Sequence, residues 1–370
     1  MRYSKRDIKN LKTPNEKVIR NLSDYIKLFS DNKFDSCIYR GEPTNFLETI
    51  SSGLRNGEYP FIKMINDFNR EVSYKISSTE QGSFLAFSQH HGIPTNLIDF
   101  TYSPLVALFF ACQSFHNTDE SYDEERGFVY IVKNRLIDVT DIVLKNEDKN
   151  ILMSLIKNDG NIILNFYDKF LSFYRQFPYE FYVYFKCLYD DYRYYFIDKE
   201  PITPKRSRFP KFNKGLYESY IDYTFIQKNK ELYTEIEHNY HSKEIVVLEY
   251  LLMLQDFLKK IVEDEGIVWW LNCIPNFIYN PILSFERGRN QQGLFIYQAY
   301  LSYDESTFGS HIISQQRVWP DMIIVVENKD KILEELDLMG INEKFIYGDF
   351  DSIARYIKNK YQPIDIGFKK

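Results

Sequence analysis

Cysteine is scarce. The four present, Cys37, Cys112, Cys187 and Cys273, lie far apart in a chain of 370 residues, and none stands in the close C-x-x-C pairing that zinc sites and redox centres use. They read as small buried hydrophobes. Long apolar runs are also missing: the greasiest stretch, Ile245 to Leu254, is interrupted by Glu249 and falls well short of the ~20 residues that cross a bilayer. The first residues, Met-Arg-Tyr-Ser-Lys-Arg-Asp, carry charge with no apolar segment behind them, unlike an export signal. The expectation is a soluble cytoplasmic protein with no membrane partner. There is no excess of positive charge either. Lys plus Arg number 46 against 52 Asp plus Glu, a net charge of −6, which excludes a general polyanion coat and confines any nucleic-acid contact to a local basic patch. What the chain does have is aromatic mass: 30 Tyr and 30 Phe, with 44% hydrophobic residues overall, enough burial to offset chain entropy and exclude wholesale disorder.

Texture divides the chain into four stretches. Residues 1–33 carry an amphipathic helix with Val18, Leu22, Tyr25, Ile26 and Phe29 at helical spacing. Residues 34–133 mix strands and helices: a short strand at 36–39, a helix from Phe61 to Ile76, a second that Gly82 opens and Gly92 ends, a strand at 96–101, a helix that Pro104 starts, and a strand at 127–133. Residues 134–265 are rich in Tyr, Phe and Lys at helical spacing and read as a helical insertion or second lobe. Residues 266–370 return to strands at 267–270, 294–300 and 322–327, then a helix at 329–339, a strand at 345–347 and a helix at 350–360. The fold class expected is α+β.

Three segments carry chemistry. Ser88 to Thr101 gathers amide, imidazole, hydroxyl and carboxylate groups beside a Gly-Ile-Pro turn, the composition of a pocket rim. Upstream, Tyr39-Arg40-Gly41 sets an arginine at a strand end beside a glycine, where backbone can approach a ligand and a guanidinium fork can hold phosphate oxygens. Downstream, Arg287-Gly288-Arg289-Asn290-Gln291-Gln292-Gly293 ends a loop on two amides as a strand begins.

Together these segments resemble the FRG domain, a family named for its aromatic-Arg-Gly signature. The signature is Tyr39-Arg40-Gly41; a Q-H-x-G-x-P-T-x-L-x-D-aromatic-T element runs from Gln89 to Thr101; an A-L-x-F-A helix runs from Ala107 to Ala111; and an R-x-x-x-Q-x-G-x-F element is met by Arg287, Gln291, Gly293 and Phe295. Asn96 stands where an Arg is common and Phe100 where a Trp is common. The resemblance covers roughly 34–133 and 266–360. A weaker resemblance, to ADP-ribosyltransferases, follows from the order Arg40-Gly41, Phe100-Thr101 with Ala107 to Ala111, then Gln291-Gln292-Gly293. It implies a split β core flanked by helices and NAD as co-substrate. In that picture Arg40 clamps the diphosphate, Thr101 sits near the nicotinamide ribose and orients Arg40, and Gln291 or Gln292 addresses ribose hydroxyls. His90 completes the candidate catalytic set. Tyr39, Gly41, Gln89, Thr95, Asp99 and Arg287 form the candidate cofactor-binding set. The family setting implied is a bacterial toxin or phage-defence effector that transfers ADP-ribose to a protein or nucleic acid, or cleaves NAD.

One departure bears on mechanism. The transferase pattern has a Glu where Gln291-Gln292 stand, and a neutral amide neither stabilises an oxocarbenium-like transition state nor acts as a base. Another carboxylate must substitute, with Asp99 or Glu286 nearest by motif, or the pocket binds a nucleotide without turning it over as a sensor module. Other readings compete. Asp99 equally suits a structural acceptor at the turn before Pro104, and His90 and His91 suit packing. Arg40 equally suits a salt bridge. Asp349 and Asp351 suit a helix N-cap better than a metal site; a metal-dependent nuclease would need His90, Asp99 and Asp349 to converge. Lys205, Arg206 and Arg208, interleaved with Phe209 and Phe212, suit phosphate contact or a solvated loop.

Overall fold

The computed structural model describes residues 13–31, 34, 36–46, 49–55, 60–117, 122–133, 135–146, 150–158, 162–198, 224–240, 244–263, 270–283, 285–302 and 312–361. Among these, ten strands are β1 Asn15–Ile19, β2 Cys37–Glu42, β3 Leu97–Thr101, β4 Gly127–Lys133, β5 Ile137–Asp138, β6 Phe277–Tyr279, β7 Gly293–Tyr297, β8 Tyr300–Ser302, β9 Ile312–Gln315 and β10 Met322–Val326. Eight of them form one mixed sheet in the order β1-β10-β4-β2-β3-β7-β6-β5; β8 and β9 pair separately. The chain is therefore α+β, with a large mixed sheet and helices packed against it.

The centre of the sheet is a seam. β2 pairs with β4 over six residues and β3 with β7 over five, but β2 and β3 meet through the single pair Tyr39↔Thr101. Two four-stranded halves thus diverge from one point of contact. Helix Pro104–Ala111 packs beside that point, with Pro104 in its first turn and Ser103 capping the Val106 amide. The strand residues facing it are glycines for a steric reason. A Cβ on Gly41 of β2 would lie 1.9 Å from the Ala107 carbonyl oxygen, and one on Gly127 of β4 would lie 1.9 Å from that of Ala111. The glycine of the Tyr-Arg-Gly element is thus required by helix-on-strand packing, not by the approach of a ligand to backbone.

Two cores flank the sheet. One joins Tyr25, Tyr39, Val129 and Ile324 to helices Pro104–Ala111 and Lys329–Leu338. The larger one belongs to the middle of the chain, where helices Ile162–Gln176, Pro178–Arg193 and Ile245–Glu263 bury Phe166, Phe170, Phe181, Phe185 and Tyr250 together with Phe277 and Tyr297 of β6 and β7. All four cysteines are free and buried. No helix among the described residues is long and apolar enough to cross a membrane.

Local differences from the sequence pattern have local causes. Val18 lies in β1, not in a helix: Asn21 accepts the Asp24 amide at 2.8 Å and starts helix Leu22–Asp31 only there, leaving β-branched Val18 and Ile19 to pair in parallel with β10. Gly82 closes helix Ser78–Gly82, whose capping box is Ser77 with Glu80, and helix Phe84–His90 follows separately. Residues 343–347 are helix, not strand, because Asn342 caps the Phe345 amide and Gly348, at φ +70°, ends the turn in the left-handed region. The expected strand at 267–270 falls outside the described residues except Trp270, which bridges to Gln315.

Candidate functional site

A hollow of about 280 Å³ opens at the seam. Tyr39, Arg40 and Gly41 of β2, Asp99 and Thr101 of β3, Gln89 and His90 of helix Phe84–His90, and Arg287 and Gln291 from helix Glu286–Asn290 and its C-cap before β7 all reach it. Nine of the eleven residues singled out from sequence are thus brought to one place. Thr95 and Gln292 do not line it. Thr95 is fully buried behind the wall. Gln292 is exposed at φ +46° in the turn into β7, its carbonyl accepting the Tyr102 amide at 3.1 Å; the left-handed turn directs Gln291, not Gln292, to the hollow.

The Gln89-to-Thr101 element forms a hydrogen-bond chain. The Leu97 amide donates to Thr95 Oγ1 at 3.1 Å, the Thr95 hydroxyl donates to Gln89 Oε1, and Gln89 Nε2 donates to Asp99 Oδ1 at 2.9 Å. The spacing has a plain origin. A helix end, a tight turn at Gly92 (φ +83°) and a returning strand put residues 89, 95 and 99 side by side. One oxygen of Asp99 is held, and the other has no partner among the described residues.

Arg40 crosses the seam. Its Nη1 donates to the Asp99 carbonyl at 2.8 Å, and its Nε meets Glu42 Oε1 at 3.0 Å. Glu42 is buried, and the strand period of two sets it on the same face as Arg40. Thr101 does not orient Arg40. Its hydroxyl donates to the Gln291 carbonyl at 2.6 Å and accepts the Ser103 amide at 2.9 Å, so Thr101 fixes the Gln291 turn to the end of β3. The Gln291 side chain is tied in turn, Nε2 donating to the Ile346 carbonyl at 3.2 Å.

The remaining wall is aromatic. The His90 ring stacks on Phe285 with centroids 3.9 Å apart and planes 12° apart. Burial, with His91 and Arg287 nearby, pulls the His90 imidazole down to about 4, so it is neutral at pH 7. The Arg287 guanidinium lies over the Tyr347 ring at 4.9 Å. Tyr39 is buried: its ring packs against Phe29, and burial, reinforced by Cys37, pushes its phenol up to about 12.

Sequence reasoning missed Glu42 and Phe285. The i, i+2 alternation of a strand was signal enough for Glu42. Nothing local marked Phe285. Glu286, the other substitute carboxylate considered, is exposed and does not line the hollow. Asp349 lies elsewhere, capping helix Phe350–Lys360 through the Ser352 amide at 2.8 Å, and among the described residues no group of three or more His, Cys, Asp or Glu is placed to hold a metal ion. Lys205, Arg206 and Arg208 lie outside the described residues.

The FRG domain family model matches residues 35–120. The matched stretch includes Arg40, the whole hydrogen-bond chain from Gln89 to Asp99, and helix Pro104–Ala111. The turn with Arg287 and Gln291 lies beyond it. No curated protein and no solved structure matches the chain.

Proposed function

We propose that the seam hollow receives NAD, as in an ADP-ribosyltransferase-like core, and that the protein transfers ADP-ribose to a protein or nucleic-acid acceptor or cleaves NAD. The toxin or phage-defence setting that the family resemblance implies is part of this reading. One observation carries it: a guanidinium, a carboxylate and an amide from distant segments converge where two half-sheets part. The donor set suits a dinucleotide. Arg40 Nη2, without a partner among the described residues, and the exposed Arg287 offer hydrogen bonds to anionic phosphates. The unheld Asp99 oxygen addresses ribose hydroxyls, and Phe285, Phe110 and Leu283 give a base an apolar wall. At about 280 Å³ the hollow sits at the small end of ligand pockets, a size for one ribose-and-base half with the diphosphate at the rim.

Asp99 takes the part that Gln291 cannot. As the bond from nicotinamide nitrogen to ribose C1′ breaks and nicotinamide leaves with the electron pair, the Asp99 carboxylate stabilises the positive charge at C1′. It then accepts the proton that water or the acceptor hydroxyl gives up on bonding to C1′. Gln89, pinned by Thr95, holds that carboxylate in place.

A second reading rests on its own observation. Arg40 is already neutralised by Glu42, and the Gln291 amide is already engaged by Ile346; both suit a nucleotide sensor that binds without turnover. Incubation with labelled NAD and separate protein, DNA and RNA pools decides. The first reading expects nicotinamide release or a labelled acceptor, lost in Asp99→Asn. Tight binding with no release favours the second, and neither binding nor release contradicts both.

A further inference from the structure

Helix Phe350–Lys360 packs on the protein through Ser352, Ile353 and Tyr356 and leaves its opposite side bare. At about 100° per residue, Phe350, Ala354, Ile357 and Tyr361, spaced by four, three and four, fall in one outward stripe. Phe350 is 90% exposed, Tyr361 74% and Ile357 49%. Single exposed apolar residues need no explanation, but an aligned row on the solvent side of one helix does. Leu338 and Met339, also exposed, lie at the end of the neighbouring helix, which Tyr356 joins through its hydrogen bond to Asp337 at 2.7 Å.

We propose that this stripe is where a second copy of the chain docks, the two helices pairing antiparallel about a two-fold axis near Arg355 and Tyr356. The pattern is self-complementary. Phe350 meets Tyr361 of the second copy, and Ala354 meets Ile357. In an antiparallel pair the same flank of each helix faces its equivalent. One flank carries Asp351 in the first turn and Lys358 near the last, both exposed and without an ion pair among the described residues. The two-fold sets Asp351 of each copy beside Lys358 of the other. On the opposite flank the Lys360 stem lies over Ile353 of the second copy. An acidic first turn and a basic last turn also suit a lone helix, but a lone helix does not account for the bare aromatic row between them.

Area sets the strength. With aromatic side chains presenting about 150–250 Å² each, the stripe offers roughly 400 Å² per copy, about half the ~800 Å² of a standard interface. A contact of that size makes the association weak and reversible.

Sedimentation velocity of the full chain at low salt, from about 1 to 300 µM, tests it. The expected result is a concentration-dependent monomer–dimer shift, abolished in Phe350→Asp, which leaves the fold intact because that position is bare and an acid suits a helix start. Asp351→Lys and Lys358→Asp singly raise the dissociation constant about 3- to 10-fold, and the double swap restores it to within about 2-fold. A monomer throughout, a dimer indifferent to Phe350→Asp, or a double swap no better than the single changes overturns the proposal.

Discussion

Replacing Arg40 by Met removes the cation beside a buried carboxylate. Glu42 is 3% exposed and Arg40 22%, so the anion stays in a low-dielectric setting when this cation goes. Breaking such a pair costs about 3–5 kcal/mol. Because Arg40 is partly wet, the lower end applies, about 3 kcal/mol, with ~1 kcal/mol more for the lost bond to the Asp99 carbonyl. In Arg40→Met/Glu42→Gln the buried carboxylate charge is removed together with the cation, and the double variant should stand within about 1–2 kcal/mol of the wild type, about 2–3 kcal/mol above Arg40→Met. The assay is urea unfolding at pH 7 followed by circular dichroism and by fluorescence, with coincident transitions required before a free energy is assigned. The reasoning is refuted if Arg40→Met is within 0.5 kcal/mol of the wild type (about the scatter of surface changes) or if the double variant is no more stable than the single. The magnitude also bears on function. Arg40→Ala alone mixes loss of a ligand contact with loss of stability, whereas the double variant separates them.

Two further predictions concern packing and protonation. Gly41→Ala drives a methyl into the Ala107 carbonyl, a backbone atom that cannot move aside, and is expected to cost about 3 kcal/mol or more; Gly82→Ala, whose Cβ meets nothing within 4 Å, should be neutral or slightly stabilising; equal effects in urea unfolding would contradict the packing account. His90, held down near 4 by burial, should show an NMR titration midpoint far below the ~6.5 of a free imidazole. Between those two values the unfolded chain binds the extra proton, so stability contributed by His90 falls as pH drops from about 6.5 toward 4. A midpoint at or above 6.5 would remove the argument.

How much of this was legible in the chain depends on the range of the interactions. Strand β4 and helix Phe350–Lys360 stood out because a continuous β-branched and aromatic run, a leading glycine and an Asp cap are local signals. The convergence of Arg40, Gln89, Asp99, Thr101 and Gln291 was reachable only through the resemblance to a family pattern, since the segments lie up to 251 positions apart in the sequence. What stayed hidden was relational. Whether Gln291 or Gln292 faces the hollow turns on one left-handed residue. Thr101 was expected to steer Arg40, yet its hydroxyl is used by the Gln291 carbonyl while Glu42 and the Asp99 carbonyl steer the arginine. The glycine of Tyr39-Arg40-Gly41 invited a ligand reading, and only the nearness of Ala107 reveals the packing reason. Residues 343–347, with β-favouring Phe345, Ile346 and Tyr347, were decided by the caps on either side.

The most direct measurement is a calorimetric titration of NAD and of ADP-ribose into the wild type and into the folded Arg40→Met/Glu42→Gln double variant. Binding to the wild type that weakens at least 10-fold in the double variant is the predicted result. No heat from either ligand at millimolar concentration, or equal affinity in both proteins, would contradict a dinucleotide site at the seam.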